Sequence, residues 1–382
     1  QNLKNEKIVF RKMKILNLIW GFTLGAGIDK CFLTYAKLGK VDESVEVKSV
    51  CINLLNLPSH IEPLNDINAE LIDIRNRLDF SWVKKFKRLV DDEKPDVIFT
   101  HGFNGAIMIL IERIFYGLKV KTVFSYHGLY NPPTVSRKIV SPLFNGLPIW
   151  IYKHIASKII CVSKDSANQL IERGVERSKV ITVYNGIPDN LVTGYVDLNK
   201  DSVNLVTCSR IDAIKGLDVL LSALSSLKDL ETDFHYYMIG EGPELENLKK
   251  KCSELEIDKY VSFAGYQTNV DMWLNSADIF AITSFQENHS IALLEAMRAG
   301  KAIVATTVGG NGESITDGID GLLVPPNDST ALADALRKLL SDRALRERLG
   351  QNARNRFEKE FTETAMMKGL VNVFKSISST ES

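Results

Sequence analysis

The sequence predicts an α/β protein built from two doubly wound, parallel-sheet domains. Short apolar segments typical of buried strands alternate with helical segments in the first half of the chain, and the alternation restarts after a polar stretch at 189–202. Sheets of this kind are parallel and carry helices on both faces. A length of 382 residues also suits two cores better than one.

The composition is that of a folded globular protein, with 45% hydrophobic and 25% charged residues. The 47 basic and 47 acidic residues balance, so the overall charge does not favour nucleic acid as a partner. The five cysteines are widely spaced, which predicts reduced core residues rather than disulfides or metal ligands. No apolar segment is long enough to span a bilayer, and we expect a cytoplasmic protein.

The first domain is predicted to cover 13–188, because Met13 opens an apolar strand and we expect the natural chain to begin there. The loop after this strand carries Gly25 and Gly27, where backbone N–H groups could approach a ligand. Further strands are predicted at 45–52, 96–101, 120–126, 158–162 and 180–184.

The second domain is predicted to cover 203–361, after a linker at 189–202. Its strands are predicted at 203–208, 234–239, 261–263, 279–282, 301–306 and 321–324. A last helix, at about 362–382, is expected to pack back on the first domain. The carboxyl ends of the two sets of strands are expected to face each other across a cleft that holds the site.

The stretch 285–310 carries the chemistry in this second domain. Glu287 lies on a loop, Ser290 is a candidate N-cap, and the helix that follows contains Glu295 and ends at Gly300. A helix N-terminus offers unpaired N–H groups and a positive dipole to a phosphate. Two carboxylates beside such a site predict a ligand that is both anionic and rich in hydroxyl groups, such as a nucleotide sugar.

Two cations, Arg210 and Lys215, follow the strand 203–208. Arginine offers a fork and lysine a point charge, so the two could clamp a diphosphate and stabilise it as it leaves. An ordinary solvated loop is the alternative interpretation. Gly240, before a helix that begins near Pro243, either lines the nucleotide side of the site or simply forms a tight turn.

Several of these segments together resemble the retaining glycosyltransferases of family 4, which have the GT-B fold. The segments are 209–216, 239–243, 263–265, 284–296, 308–310 and 318–325, within a resemblance that covers 13–361 and is dense in the second half. The E-x7-E motif of the family is matched by Glu287 and Glu295.

The resemblance implies a role for each part of the site. Glu295 would bind the ribose and Glu287 the donor sugar, while Arg210 and Lys215 would hold the distal phosphate without a metal ion. The implied donor-binding set is Gly25, Gly27, Arg210, Lys215, Gly240, Gly265, Tyr266, Gln267, Glu287, His289, Ser290, Ile291 and Glu295. In this set His289, Ser290 and Ile291 act through backbone N–H groups, and 265–267 lie beside the base. No cofactor is expected, because the nucleotide sugar is a substrate.

One departure concerns the residues after the first acid. Family members commonly have a glycine there and a Phe-Gly pair soon after, whereas this chain has Asn288 and then His289 and Ser290. The donor pocket is therefore expected to differ in shape.

Two histidines in the first domain, His101 and His127, each follow a strand and precede a glycine. A lone histidine is usually structural, but one at a strand's carboxyl end raises the expectation of function. By position His127 resembles the family histidine between acceptor and donor, and we predict it, with Glu287, Arg210 and Lys215, as catalytic.

The segment 81–90 predicts an amphipathic helix with a basic side. Such a helix could lie on an anionic membrane and bring a lipid-linked acceptor to the site, or it could simply pack its apolar side on the sheet. The segment 137–158, which is apolar and basic and contains Trp150, invites the same two interpretations.

We therefore predict a metal-independent, retaining hexosyltransferase. It would move a hexose or N-acetylhexosamine from a nucleotide donor, expected to be a UDP sugar, to a hydroxyl of a glycan or lipid-linked acceptor. We expect this reaction to serve cell-surface polysaccharide or glycolipid synthesis at the inner face of the cell membrane. A retaining glycosidase is disfavoured because one acid adjoins a phosphate site. A sugar-nucleotide epimerase and a noncatalytic nucleotide-sugar-binding protein stay open as alternatives.

Overall fold

The structure, a computed structural model, describes residues 11–22, 27–55, 62–76, 78–128, 146–190, 193–230 and 232–378. The chain divides into two compact units. Unit 1 comprises 1–162, 166–183 and 367–382, and unit 2 comprises 163–165 and 184–366. The division between the units therefore falls between Val183 and Tyr184, and the predicted linker 189–202 belongs to unit 2.

Unit 1 contains a seven-stranded parallel sheet in the order β3-β2-β1-β4-β5-β6-β7. Its strands are β1 Met13–Trp20, β2 Val45–Leu54, β3 Glu70–Ile74, β4 Val97–His101, β5 Lys121–Tyr126, β6 Lys158–Cys161 and β7 Val180–Thr182. The helices along this part of the chain are α1 Gly27–Tyr35, α2 Leu38–Val41, α3 Glu62–Asp66, α4 Ser81–Glu93, α5 Gly102–Tyr116, α6 with residues 146–154, and α7 Lys164–Glu172.

Unit 2 contains a six-stranded parallel sheet in the order β10-β9-β8-β11-β12-β13. Its strands are β8 Val203–Cys208, β9 Phe234–Ile239, β10 Val261–Gly265, β11 Ile279–Ile282, β12 Ala302–Thr306 and β13 Leu322–Val324. Its helices are α8 Leu217–Ser225, α9 Leu245–Glu254, α10 Val270–Ser276, α11 Ile291–Arg298, α12 Asn311–Ser314, α13 Ser329–Ser341 and α14 Arg343–Glu360.

The last helix, α15 Glu363–Ser378, belongs to unit 1 from Met367 onward. There the ring of Phe374 lies 5.2 Å from that of Phe99 on β4, and Lys121 on β5 donates to the carbonyl of Ile377 at 3.0 Å. Gly369 packs against Val183. The C-terminal helix is therefore part of the unit 1 core.

Both sheets are doubly wound: the strand order reverses beside β1 in unit 1 and beside β8 in unit 2. The predicted two-domain α/β fold is confirmed. The strand β3 is absent from the predicted set, because 70–74 has only five residues and two of them, Glu70 and Asp73, are acidic. The five cysteines are buried, as predicted for core residues.

The helix at 81–90 does not use its apolar side to lie on a membrane, so that interpretation is wrong, and the alternative, packing on the sheet, is confirmed. In α4 the residues Trp82 and Phe86 are 1% and 0% exposed, and Trp82 packs edge-on against Trp20 at 5.7 Å. The apolar side is thus committed to the core of unit 1. Within the described ranges, no helix combines the length and the apolar character needed to cross a membrane.

The second basic apolar segment, 137–158, lies only partly within the described residues. From 146 onward it contains α6, whose Ile151 and Tyr152 are buried while Trp150 is 49% exposed. Gly25, from the first glycine loop, lies outside the described residues, and Gly27 is the first residue of α1.

Candidate active site

Three predicted site residues of unit 2 follow its two central strands, β8 and β11. Arg210 and Lys215 lie on the loop after β8, and Glu287 lies on the loop after β11. These neighbouring parallel strands flank the point where the strand order reverses. In doubly wound sheets, ligands bind outside the carboxyl ends of the strands at this point.

Two hydrogen bonds join the two loops. Phe285 donates its N–H to the carbonyl of Ile214 at 2.8 Å, and the Thr283 hydroxyl donates to the carbonyl of Lys215 at 3.0 Å. Gly216 permits this approach, because its φ is +58° and a Cβ there would lie 2.3 Å from the Thr283 carbonyl oxygen. The position of Lys215 is therefore tied to the end of β11.

Lys215 and Glu287 form an ion pair. The Lys215 Nζ atom lies 2.5 Å from Glu287 Oε1, and the Ser284 hydroxyl donates to the same oxygen at 2.8 Å. The two charged side chains are only 23% and 12% exposed, so solvent screens the pair less than it would a surface pair. The structure thus brings together one predicted cation and one predicted acid.

Arg210 behaves differently from Lys215. Its side chain is 71% exposed and lies 2.8 Å from the carboxylate of Asp212. Asp212 also caps the short turn Ala213–Lys215, accepting from the N–H of Ile214, and its carbonyl accepts from the N–H of Lys215 at 2.9 Å. Asp212 was not among the residues predicted from the sequence, although an aspartate just before a turn is a common capping signal.

The start of α11 has the predicted cap. The Ser290 side chain accepts a hydrogen bond from the N–H of Leu293 at 3.4 Å. The N–H of Ile291 is in the first helical turn, where no intrahelical acceptor exists. The backbone before this helix packs closely against two glycines. A Cβ added at Gly309 would lie 1.7 Å from the Glu287 carbonyl oxygen, so only glycine allows this approach. The N–H of Gly310 donates to the Asn288 carbonyl at 3.0 Å.

The His289 side chain is structural. It is 6% exposed, its Nε2 lies 3.1 Å from the Ser314 hydroxyl, and its ring stacks on Tyr184 at 5.3 Å. Burial lowers the pKa of His289 from 6.5 to about 3, so the ring is neutral. Its carbonyl accepts from Asn185 at 3.1 Å. Only the backbone N–H of His289 is therefore a candidate for donor binding.

Glu295, the second acid of the motif, is half-buried on α11. Burial raises the pKa of the Cys208 thiol at the end of β8, and the negative charge of Glu295 adds a smaller increase. Glu295 lies on the helix that follows the Glu287 loop. The structure thus places Arg210 and Lys215 on the loop after β8, Glu287 on the loop after β11, and Glu295 on the helix after that second loop.

The remaining predicted residues of unit 2 border this region along β9 and β10. The N–H of Gly240 donates to the carbonyl of Gly265 at 2.8 Å, and a Cβ on Gly240 would lie 1.9 Å from the Ser209 carbonyl oxygen. Tyr266 is 70% exposed, and the Gln267 amide donates to the carbonyl of Ala264 at 2.8 Å. Gly240 is thus required by close backbone approach.

The two histidines of unit 1 differ in burial. His101 is 3% exposed and donates from Nε2 to Asn17 Oδ1 at 2.8 Å, within a cage that includes Tyr35 and Phe99. His127 is half-buried at the end of β5, and its Nε2 lies 2.8 Å from the Ser125 hydroxyl. His101 is a core residue, which leaves His127 as the functional candidate of the pair.

Among the described residues, no group of three or more His, Cys, Asp or Glu side chains is arranged to hold a metal ion.

Two glycosyltransferase family models match the chain. "Glycosyl transferases group 1" matches 196–356, and "Glycosyltransferase Family 4" matches 66–191. An uncharacterized glycosyltransferase of Methanocaldococcus jannaschii, MJ1178, is 28% identical over 76% of this chain and 78% of its own length. The lipopolysaccharide core biosynthesis glycosyltransferase LpsD of Rhizobium meliloti is 30% identical over 56% of this chain and 63% of its own length.

Solved structures agree on the fold. Anabaena Alr3699/HepE, solved in complex with UDP, superposes with a TM-score of 0.78 at 19% identity, covering 95% of this chain and all of that one. The fold and the family matches define a glycosyltransferase. More particularly, the chain is a glycosyltransferase with the two-domain α/β GT-B fold.

Proposed function

We propose that this glycosyltransferase moves a hexose or N-acetylhexosamine from a UDP sugar to a hydroxyl of a glycan or lipid-linked acceptor, with retention of anomeric configuration. The observation that carries the proposal is the Lys215–Glu287 pair, at 2.5 Å, beside the capped start of α11. A cation, a carboxylate and a helix N-terminus together suit a ligand that carries both phosphate and sugar hydroxyls.

In this proposal the cations serve the departing diphosphate. Lys215 leaves Glu287 and binds the distal phosphate, and the exposed fork of Arg210 turns to the same group. Backbone N–H groups at 289–291 add the positive end of the helix dipole. Because negative charge on the diphosphate grows as the glycosidic bond breaks, these groups bind the transition state more strongly than the ground state.

The acids and the bordering loops serve the rest of the donor. Glu295 accepts hydrogen bonds from the ribose hydroxyls, and Glu287, released from Lys215, accepts them from the donor sugar. The backbone of 265–267 lies beside the base, with Gly240 next to it, and Gly25 and Gly27 serve the donor from unit 1. His127 acts between acceptor and donor, and no metal or other cofactor takes part.

The choice of UDP and of a surface-glycan acceptor is supported by the relatives. HepE was solved with UDP, and LpsD is named for lipopolysaccharide core biosynthesis. The acceptor hydroxyl attacks the donor on the face from which the diphosphate departs, and a phosphate oxygen takes its proton. This path leaves the anomeric configuration unchanged without a glycosyl-enzyme.

The experiment is a thermal-shift screen of UDP-, GDP- and ADP-sugars, followed by transfer assays with the stabilising donor and NMR of the product's anomeric proton. A ligand that binds only the native state raises its stability in proportion to affinity. We expect a UDP sugar to give the largest shift and the product to retain the donor configuration. Inverted product would overturn the proposed stereochemistry.

The same assays separate the two alternative functions. Interconversion of labelled UDP sugars without transfer would indicate an epimerase. Tight UDP binding without transfer from any donor would indicate a noncatalytic nucleotide-sugar-binding protein. Transfer unchanged in Glu287→Ala and Arg210→Ala would indicate that the proposed catalytic site is not used.

A further inference from the structure

The helix α5 of unit 1 is apolar on its outer side as well as on the side that packs on the sheet. Its inner side is buried in the core through residues such as Ala106 and Ile109. The outer side is formed, at helical spacing, by Phe103, Ile107, Leu110, Ile111 and Ile114. A surface helix normally carries polar residues there, so we expect another surface to cover this side of α5.

The apolar side chains become more exposed towards the end of α5. Ile114 and Phe115 are 68% and 71% exposed, and Tyr116 follows them as a third exposed residue. Single exposed apolar residues are normal on a folded protein, whereas contiguous ones mark interaction sites for proteins or membranes.

The next helix on the same face, α6, extends this surface. The strands β4 to β7 are neighbours in chain order, so right-handed crossovers place α5, α6 and α7 on one face of the sheet. Arg113 near the end of α5 donates to the carbonyl of Ile155, just after α6, at 3.3 Å. Leu147, Trp150 and His154 lie at helical spacing on the exposed side of α6. We call Ile114, Phe115, Tyr116, Leu147 and Trp150 together the apolar surface.

The two segments that carry the apolar surface are positively charged. The segments 113–121 and 146–158 contain no Asp or Glu. Their cations are Arg113, Lys119, Lys121, Lys153 and Lys158. The one acid of α5, Glu112, is buried, and Asp91 on the flanking α4 is paired with Lys87.

A cavity of about 500 Å³ lies beside Trp150. It is also lined by Lys153 of α6 and Arg173 of α7. The two helices meet here, because a Cβ added at Gly174 would lie 3.0 Å from the Lys153 Nζ atom. The cavity therefore offers two cations next to an exposed indole ring.

This combination decides which partner fits the surface. A second copy of the chain would bring like charges face to face, which disfavours association. An anionic bilayer supplies both a hydrocarbon region for the apolar side chains and phosphates for the cations. Tryptophan and tyrosine are also the residues enriched at the level of the lipid headgroups.

We propose that unit 1 docks on an anionic lipid bilayer through the apolar surface. Ile114 and Phe115 enter the boundary between headgroups and acyl chains, and Trp150 lies at headgroup level. Lys153 and Arg173 bind a lipid phosphate in the cavity that they line.

Docking in this way would bring a lipid-linked acceptor to the site. The helix α5 begins directly after His101, the last residue of β4, and β4 pairs with β5, whose end carries His127. A bilayer along α5 thus reaches the carboxyl end of this sheet. This functional part rests on the proposed function, whereas docking itself needs neither donor nor acceptor.

The direct test is sedimentation of the full chain with vesicles of equal parts phosphatidylglycerol and phosphatidylcholine, and with phosphatidylcholine alone. We expect binding to the anionic vesicles that weakens at high salt, and little binding to the neutral ones. The double variant Ile114→Ser, Phe115→Ser should lower the partition constant at least about tenfold. The matched control, Tyr195→Ser with Ile319→Ser, changes exposed apolar residues of unit 2 and should bind as the wild type does. Equal binding of the α5 variant and the wild type, or no binding of the wild type, would overturn the proposal.

The cations are tested in the same assay. Lys153→Gln with Arg173→Gln should lower binding to the anionic vesicles about tenfold. Lys249→Gln with Lys250→Gln, on α9 of unit 2, is the matched control and should have no effect. Unchanged binding of the first pair would overturn the assignment of the cavity to a lipid phosphate.

Fluorescence tests the position of Trp150. Brominated phosphatidylcholine in the anionic vesicles quenches a tryptophan that contacts the bilayer. We expect quenching in the wild type and its loss in Trp150→Phe, which keeps the other three tryptophans. Quenching that persists in Trp150→Phe would show that a different surface meets the bilayer.

Two controls separate docking from folding and from self-association. The side chains of Ile114 and Phe115 are exposed, so their double variant should keep the wild-type melting temperature. A large drop would show that they support the fold and would overturn their docking role. A wild-type dimer that this variant disrupts would assign the surface to a second copy instead. If no donor supports transfer, the proposed function fails while vesicle binding still stands.

Discussion

The Lys215 ammonium nitrogen lies 2.5 Å from Oε1 of Glu287, and the two side chains come from loops after neighbouring strands. Without a donor, each is the other's counter-ion. A diphosphate that binds Lys215 would release Glu287 to accept hydrogen bonds from a sugar. In the proposed mechanism the pair would therefore couple recognition of the phosphate to recognition of the sugar.

Replacing Lys215 with alanine should lower kcat about 10²- to 10³-fold, as expected when one group that stabilises developing charge is lost. Steady-state assays with the best donor measure the effect. Lys251→Ala is the control: this residue of unit 2 pairs with Asp218 at 3.7 Å, on α9 and α8. It should leave kcat unchanged. A near-normal kcat for Lys215→Ala would remove that residue from the mechanism.

How much the sequence could predict differs between fold and site. Most strands of the two sheets stood out because fully buried parallel strands are continuous apolar segments, as in Ile279–Ile282. By contrast β3 at Glu70–Ile74 lies at the sheet edge and has exposed polar positions, which removes that signal. The amphipathic pattern of α4 indicated a helix correctly, but periodicity alone does not say whether core or lipid covers the apolar side.

In the site, residue types were predictable and contacts were not. The helix cap at Ser290 is local, so sequence spacing was sufficient to find it. The Lys215–Glu287 pair joins loops that are distant in sequence, and its geometry depends on Gly216 letting one loop approach the other. The burial of His289 likewise depends on Tyr184 and Ser314, which no local pattern connects to it.

Activity should survive removal of divalent metal ions. In the proposed mechanism Lys215, Arg210 and the start of α11 neutralise the diphosphate, so a metal would have no remaining task. Transfer should be the same, within error, after dialysis against EDTA and after adding back Mg²⁺ or Mn²⁺. Loss of activity on chelation with recovery on Mn²⁺ would contradict the metal-free assignment.

The basic side of α4 should have little effect on lipid binding. Its apolar side is in the core, and two of its cations already have partners: Lys85 donates to the Asp73 carbonyl at 3.3 Å, and Lys87 pairs with Asp91. Serine at 84, 85, 87 and 88 should leave sedimentation with anionic liposomes unchanged, as should the control pair Lys249→Ser and Lys250→Ser. Reduced sedimentation of the α4 variant alone would show that the basic side of α4 contacts lipid.

Glu112 should make unit 1 less stable at high pH. This carboxyl on α5 is 0% exposed, and burial raises its pKa from 4.5 to about 7, with Lys87 opposing and Asp91 reinforcing the shift. Because the folded state holds the proton of Glu112 more tightly than the unfolded state does, protonated Glu112 stabilises unit 1. This contribution to the free energy of unfolding is full below about pH 4.5 and is lost as pH rises through about 7.

Glu112→Gln should therefore match the wild type near pH 5 and be more stable at pH 8.5, by roughly 2 kcal/mol. Urea unfolding at the two pH values measures the difference. Glu43→Gln, at an exposed position of the same unit, should show no such pH-dependent gain. Equal stabilities of wild type and Glu112→Gln at pH 8.5 would mean that Glu112 is not forced to ionise in the core.

Gly309 should be essential for the position of Glu287. Its φ is +48°, and a Cβ there would lie 1.7 Å from the Glu287 carbonyl oxygen, whereas Gly318 has φ +72° with nothing within 4 Å of the same added atom. Alanine at either site meets the strain of a left-handed conformation, about 1–2 kcal/mol. Only Gly309→Ala must also push the Glu287 loop aside.

We therefore expect Gly318→Ala to lose stability but keep its kcat, and Gly309→Ala to lose more stability and to lower kcat at least about tenfold, as displacements near 1 Å do. Urea unfolding and steady-state kinetics on both variants separate strain from displacement. A normal kcat for Gly309→Ala would show that catalysis does not depend on the position of Glu287. The proposed contact between Glu287 and the donor sugar would then be contradicted.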